Sequence, residues 1–127
     1  MPGKIKILIV DDYDDTRELI KELLSRRNFL ALEADTVQKA RKIMKNHSDI
    51  QAIIFDGYMN QERTIDTIGL IIEIARKGFL GYMIATSSYP KMRENQKIAG
   101  CNEECPYKPI PLDLVNFVQD LSFPRPS

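Results

Sequence analysis

The stretch Lys4-Ile5-Lys6-Ile7-Leu8-Ile9-Val10-Asp11-Asp12 decides the fold. Ile7 to Val10 run without a polar break. A short continuous apolar run of this kind fits a strand buried on both faces, as in a parallel sheet with helices on either side. It ends abruptly in two aspartates, so charge is set at the carboxyl end of a buried strand. Reading outward, the same grammar repeats. Asp14 to Arg26 is predicted as a helix, with Leu19, Ile20, Leu23 and Leu24 on its inner side and Asp14, Asp15 and Glu18 near its N-terminus. Phe29 to Ala34 follows as a weaker strand. Asp35 or Thr36 is placed to cap a helix whose stripe is Val37, Ala40, Ile43 and Met44.

Ala52 to Phe55 is a third apolar strand, again ended by an aspartate, Asp56. Gly57 to Thr67 reads as a long polar loop, and Gly69 to Arg76 as a short helix. Gly81 to Thr86 is a fourth strand running into the hydroxyls Thr86, Ser87 and Ser88. Pro90 to Ala99 is a polar helix with Met92 and Ile98 as its main apolar residues. Cys105 to Tyr107 is expected as a brief fifth strand, followed by Lys108 and Pro109. Leu112 to Leu121 is an amphipathic helix carrying Leu114, Val115 and Val118, and the tail from residue 122 on, with its prolines, reads as loose. Strand and helix alternate five times, which means an α/β fold with a doubly wound parallel sheet. The expected organisation is one domain over 1–127, its core over about 4–121.

Composition narrows the function. Lys and Arg total 18, as do Asp and Glu, so no excess charge points to nucleic acid or to an anionic membrane. No apolar run approaches the ~20 residues of a membrane span. No charged stretch leads into an apolar run with a small-residue cleavage site, so no signal peptide is expected. Cys101 and Cys105 are four apart, not the spacing of a redox or zinc pair, and read as reduced thiols of a cytoplasmic protein.

In a parallel α/β sheet, sites form outside the carboxyl ends of the strands. Here those ends carry Asp11 and Asp12, Asp56, Thr86 and Lys108. Carboxylates crowded at one rim favour a neutralising hard cation, and Mg²⁺ prefers a few carboxylates with water and phosphate oxygens. A lysine and a hydroxyl beside them complete a set suited to phosphoryl transfer onto a carboxylate.

With these residues in order, the chain resembles the receiver domain of two-component response regulators, of the single-domain chemotaxis type. The resemblance spans Lys4 to about Leu121. It rests on Asp11-Asp12, on Asp56 in Ile54-Phe55-Asp56-Gly57-Tyr58-Met59, on Thr86 in Ile84-Ala85-Thr86-Ser87, and on Lys108 in Tyr107-Lys108-Pro109. It implies a flavodoxin-like (βα)5 sheet of order 2-1-3-4-5 and a phosphorelay switch rather than an enzyme. Asp56 would be the phosphoacceptor. Asp12, Asp56 and the backbone carbonyl of Tyr58 would bind Mg²⁺, with Asp11 acting through water. Thr86 would bond the phosphoryl group and move toward it, and Lys108, ahead of a cis Pro109, would pair with a phosphoryl oxygen. The implied partners are a histidine kinase or phosphotransfer protein and a downstream target or output domain.

The chain also departs from the family. Asn60 stands where a proline is usual, and Cys105 stands where the family keeps its switch aromatic; Tyr89 is a candidate substitute. Three alternatives stay open from the residues alone. A degenerate receiver would act by constitutive contact. A small aspartyl-phosphate phosphohydrolase would need an acid where Tyr58 stands. A flavodoxin-like cofactor binder would need a phosphate loop where Asp11 to Asp15 would repel one.

Overall fold

The structure, a computed structural model, describes residues 3–56, 64–105 and 110–124. In chain order the elements are β1 (Ile5–Val10), α1 (Asp14–Arg26), β2 (Phe29–Ala34), α2 (Val37–Asn46), β3 (Ile50–Phe55), α3 (Thr64–Arg76), β4 (Tyr82–Ala85), α4 (Pro90–Ala99), β5 (Glu103–Glu104) and α5 (Pro111–Gln119). The five strands are parallel and ordered β2-β1-β3-β4-β5. This is the α/β architecture and strand order anticipated from the alternation and the resemblance.

The buried run of β1 splits by the two-residue period of a strand. Leu8 and Val10 join Phe55, Leu70, Ile71, Ile74 and the stripe of α2 on one face. Ile7 and Ile9 join Ile20, Leu24, Ile54, Leu114, Val115 and Val118 on the other, under α1 and α5. Neither face meets water, which is why the strand has no polar alternation. Thr36 caps α2 by accepting from the Lys39 amide at 3.1 Å, while Asp35 pairs with the Lys39 ammonium instead. Asn28 closes α1 at φ 67°, a left-handed position that Asn tolerates. No helix among the described residues is long and apolar enough to cross a membrane.

Four expectations need correction. Leu19 is 44% exposed, so the inner stripe of α1 is Ile20 and Leu24 with Leu23 partly covered. The helix expected at Gly69 begins at Thr64, because packing overrides weak propensity: Thr67 is buried and Ile68 packs on the core, although β-branched residues disfavour helix. The fifth strand begins at Glu103 and is described over Glu103–Glu104, two residues before the expected start at Cys105; Pro106 and Tyr107 of the expected strand lie outside the described residues. Two glutamates are tolerable on an edge strand, and Glu104 is held below the usual carboxylate range by hydrogen bonds from Lys97 and Arg93 of α4. Cys105 still donates its amide to the Ala85 carbonyl at 2.9 Å, continuing the ladder one residue.

The start of the tail, Ser122 and Phe123, is the fourth correction. Tyr82 donates its hydroxyl to the Ser122 carbonyl at 2.7 Å. Phe123 packs edge-on against Phe29 at 5.8 Å and Tyr82 at 5.4 Å, closing the lower end of the core through residue 123. Aromatic pairs add about 0.5–1.5 kcal/mol each beyond area burial. Phe123→Ala should therefore lower unfolding free energy by roughly 1–3 kcal/mol, read as a shifted midpoint in urea; an unchanged midpoint would mean that the tail is loose after all.

Candidate functional site

The topology creates the site. From β1 the chain crosses to β2 on one side, and β3 lies on the other, so the carboxyl ends of β1 and β3 meet at the point where the winding of the sheet reverses, the place where sites form in such folds. Val10 and Phe55 are in register, so the residues that follow them meet. The Asp56 amide donates to the Val10 carbonyl at 2.9 Å, and the Asp11 amide donates to the Ala34 carbonyl at 3.0 Å. Both acids therefore continue the ladder and inherit its rigidity.

Asp11 is buried, whereas Asp12 and Asp56 are half-buried. One carboxylate oxygen from each lies within 4.8 Å of the others. Oxygens around an octahedral Mg²⁺ at ~2.0–2.1 Å stand roughly 3–4 Å apart, so the trio needs little adjustment, or one intervening water, to share an ion. The donor set is all hard oxygen, which fits Mg²⁺ and argues against a soft metal. Asp11 Oδ1 also accepts the Tyr13 amide at 2.9 Å, which fixes the turn leaving β1.

Thr86 sits at the end of β4, fully buried. Its hydroxyl donates to the Phe55 carbonyl at 2.8 Å, and its amide approaches the same oxygen at 3.3 Å. It is thus tied to the peptide that carries Asp56. Lys108 and Tyr58, together with Asn60 and the Lys108–Pro109 peptide, lie outside the described residues. Tyr89, the candidate aromatic, is 61% exposed at the N-cap of α4. Cys105 is fully buried among Ile84, Leu114 and Val115. Cys101 is a buried thiol pushed up to about 12 by that burial, and neither cysteine is in a disulfide.

The residue 4–121 pattern has structural counterparts. No protein-family model matches the chain. The uncharacterized 14.6 kDa protein in the sodA1 3′ region of Leptolyngbya boryana is 26% identical, over 96% of this chain and 95% of its own. The receiver domain protein of Methanospirillum hungatei JF-1 superposes with a TM-score of 0.79 at 18% identity, covering 93% of each chain. The response regulator TrrA of Thermotoga maritima, solved in complex with Mg²⁺-BeF, gives 0.74 at 24% identity over 93% of this chain and 99% of its own. The fold is that of response regulator receiver domains.

Two residues of this receiver fold escaped the sequence reading. Arg17 donates to the Asp11 carbonyl at 2.9 Å and pairs with Asp14 at 2.7 Å and Glu33 at 3.3 Å. Burial works against its charge, yet the hydrogen bonds and proximity of Asp14 and Glu33 outweigh it and raise its pKa. It braces the acid turn against β2. The signal was its spacing: Arg17 lies three before Ile20 and seven before Leu24, on the inner face. Gln96 is the other. It is buried on α4, four residues after the buried Met92, and its side-chain amide donates to the Phe55 carbonyl at 3.3 Å.

Three carboxylates on rigid supports repel one another, so the fold bears their cost when no cation is bound. At a few ångströms each pair is worth on the order of 1–3 kcal/mol in a partly wet site. Asp56→Asn should accordingly raise stability in chelator by about 1–2 kcal/mol, while millimolar Mg²⁺ should stabilise the wild type more than the variant. Thermal unfolding with and without Mg²⁺ reads both; a variant less stable than wild type in chelator would contradict the repulsion between these acids.

Proposed function

We propose that this chain is a phosphoacceptor switch of two-component signalling, phosphorylated on Asp56. The observation that carries the reading is the convergence of Asp11, Asp12 and Asp56 within 4.8 Å at the carboxyl ends of β1 and β3 of a receiver fold. The Mg²⁺-BeF complex of the Thermotoga maritima neighbour supports it, since that protein has the same architecture. Asp12, Asp56 and the Tyr58 carbonyl would hold Mg²⁺, with Asp11 acting through water. The ion, when bound, offsets negative charge on the phosphoryl oxygens.

In the proposed reaction, a carboxylate oxygen of Asp56 attacks phosphorus in line, a P–O bond forms, and the P–N bond to a donor histidine breaks. The histidine nitrogen leaves with the bonding pair and is reprotonated from solvent. The ladder bond from the Asp56 amide to the Val10 carbonyl holds the backbone that carries the nucleophile, which lowers the orientation entropy the reaction must lose. Thr86 would release the Phe55 carbonyl and donate to a phosphoryl oxygen, and Lys108 would pair with another. The protein performs only its own phosphorylation and dephosphorylation, and it turns over no separate substrate. A histidine kinase or phosphotransfer protein supplies the phosphoryl group, and a downstream protein or output domain reads the result.

Incubation with acetyl phosphate and Mg²⁺ should add one phosphoryl mass to the wild type and none to Asp56→Asn, and chelation of Mg²⁺ should abolish the adduct. Thr86→Ala and Lys108→Ala should still fold but lose most of the switch response. An adduct that survives in Asp56→Asn, or needs no divalent ion, would sink the assignment. Tyr58→Asn should shorten the lifetime of the adduct, because a smaller residue admits water to the phosphoryl group; equal lifetimes would remove Tyr58 as a shield.

A further inference from the structure

The Phe55 carbonyl is the backbone oxygen that immediately precedes Asp56, and it is crowded. It accepts the Thr86 hydroxyl at 2.8 Å, lies 3.3 Å from the Thr86 amide, and accepts the Gln96 side-chain amide at 3.3 Å. A carbonyl has two lone pairs. The short bond goes to the hydroxyl, and the two longer ones share what remains. Gln96 is 1% exposed, a buried polar residue on a helix with little other anchorage. Only Met92 and Gln96 of α4 are buried, and Ile98 is 78% exposed. Gln96 Oε1 meets no donor among the described residues. Turning the amide over would set that oxygen against the Phe55 oxygen, so the chemistry fixes its orientation.

A buried amide half satisfied is costly unless its position serves something. We infer that Gln96 is a positioning residue that carries the state of the Thr86 hydroxyl to α4 through their shared acceptor. The inference rests on the phospho-switch reading for the event that moves Thr86. When the hydroxyl leaves for a phosphoryl oxygen, a lone pair on the Phe55 carbonyl is freed and the Gln96 amide closes on it. The backbone carbonyl of Gln96 holds the C-cap of α4, accepting the Gly100 amide at 3.2 Å and the Cys101 amide at 3.0 Å. Arg93, one turn earlier, donates to the Ser87 carbonyl at 2.8 Å, next to Thr86. Movement at Gln96 therefore reseats the C-terminal half of the helix, while Arg93 holds the other half to the segment after β4.

The test uses isotope-labelled full chain in Mg²⁺ alone and in Mg²⁺ with beryllofluoride. The readouts are the Gln96 side-chain amide signals, assigned by their loss in Gln96→Met, and amide hydrogen exchange along α4. In the wild type, beryllofluoride should shift the Gln96 amide signals and change exchange across residues 92–100 by about threefold to tenfold, the equivalent of one hydrogen bond. Gln96→Met keeps the length and loses the donor. It should bind beryllofluoride within about threefold of wild type yet lose most of the α4 response. Thr86→Val removes the hydroxyl without any phosphoryl mimic, and its Gln96 signals should already lie at the shifted position. A full α4 response in Gln96→Met, or unmoved Gln96 signals in Thr86→Val, would overturn the inference. Should Gln96→Met not fold, the wild-type and Thr86→Val signals decide. If the wild type binds no beryllofluoride, the phospho-switch reading fails, and the Thr86→Val comparison still decides whether the two side chains compete for one oxygen.

Discussion

Three like charges must be kept a few ångströms apart at the rim of this sheet, and the rest of the molecule is arranged around that constraint. Water would let such carboxylates drift apart. Here the backbone of Asp11 is bonded to β2 and that of Asp56 to β1. Behind them the strands are buried on both faces, and two apolar clusters clamp the sheet. The repulsion is therefore held in place rather than relaxed, and under the proposed function a small divalent ion would offset it. Among the described residues, Arg17 is a cation beside these acids, and it acts on the backbone of the acid turn and on Glu33.

The opposite edge of the sheet is built more loosely. Among the described residues β5 comprises Glu103 and Glu104, and α4 buries Met92 and Gln96 and rests Ala99 on the core. Ion pairs from Arg93 and Lys97 to Glu104 join these two elements at the surface. Surface pairs of this type contribute little, so they add little to the hold of α4 on β5. That edge also carries one of the departures from the receiver resemblance. A thiol, Cys105, fills the place of the usual aromatic, and it is packed among aliphatic side chains of the face under α5. A buried glutamine on the neighbouring helix links the same edge to the carbonyl before Asp56. The connection between rim and edge in this chain thus runs through a polar contact.

Much of this was legible in the chain of residues. Uninterrupted apolar runs at Ile7–Val10 and Ala52–Phe55 declare strands covered on both sides, and their alternation with amphipathic helices leaves little beyond a doubly wound sheet. The acids that end those strands were visible as candidates because a charge placed directly after a buried run must surface at the rim of the sheet. Where local signals were weak, the reading failed: the first turn of α3 looks like loop, the start of β5 at Glu103 went unmarked, and the beginning of the tail looks loose. In each case contacts distant in sequence supply the stability. Thr67 and Ile68 are covered by the core, Glu104 is satisfied by α4, and Phe123 lies between Phe29 and Tyr82.

By itself, the sequence determined the periods of hydrophobicity and the order of the chemical groups, and these suffice for the sheet, its two covered faces and the acids at its rim. Tertiary structure decided which groups share an atom. That Thr86 and Gln96 converge on the Phe55 carbonyl, and that Arg17 reaches the carbonyl of Asp11, depends on β4 lying beside β3 and on how α4 and α1 pack over the strand ends. Periodicity assigns a side chain to a face, but a hydrogen bond requires two atoms about 3 Å apart, and that distance exists only once the crossovers have closed.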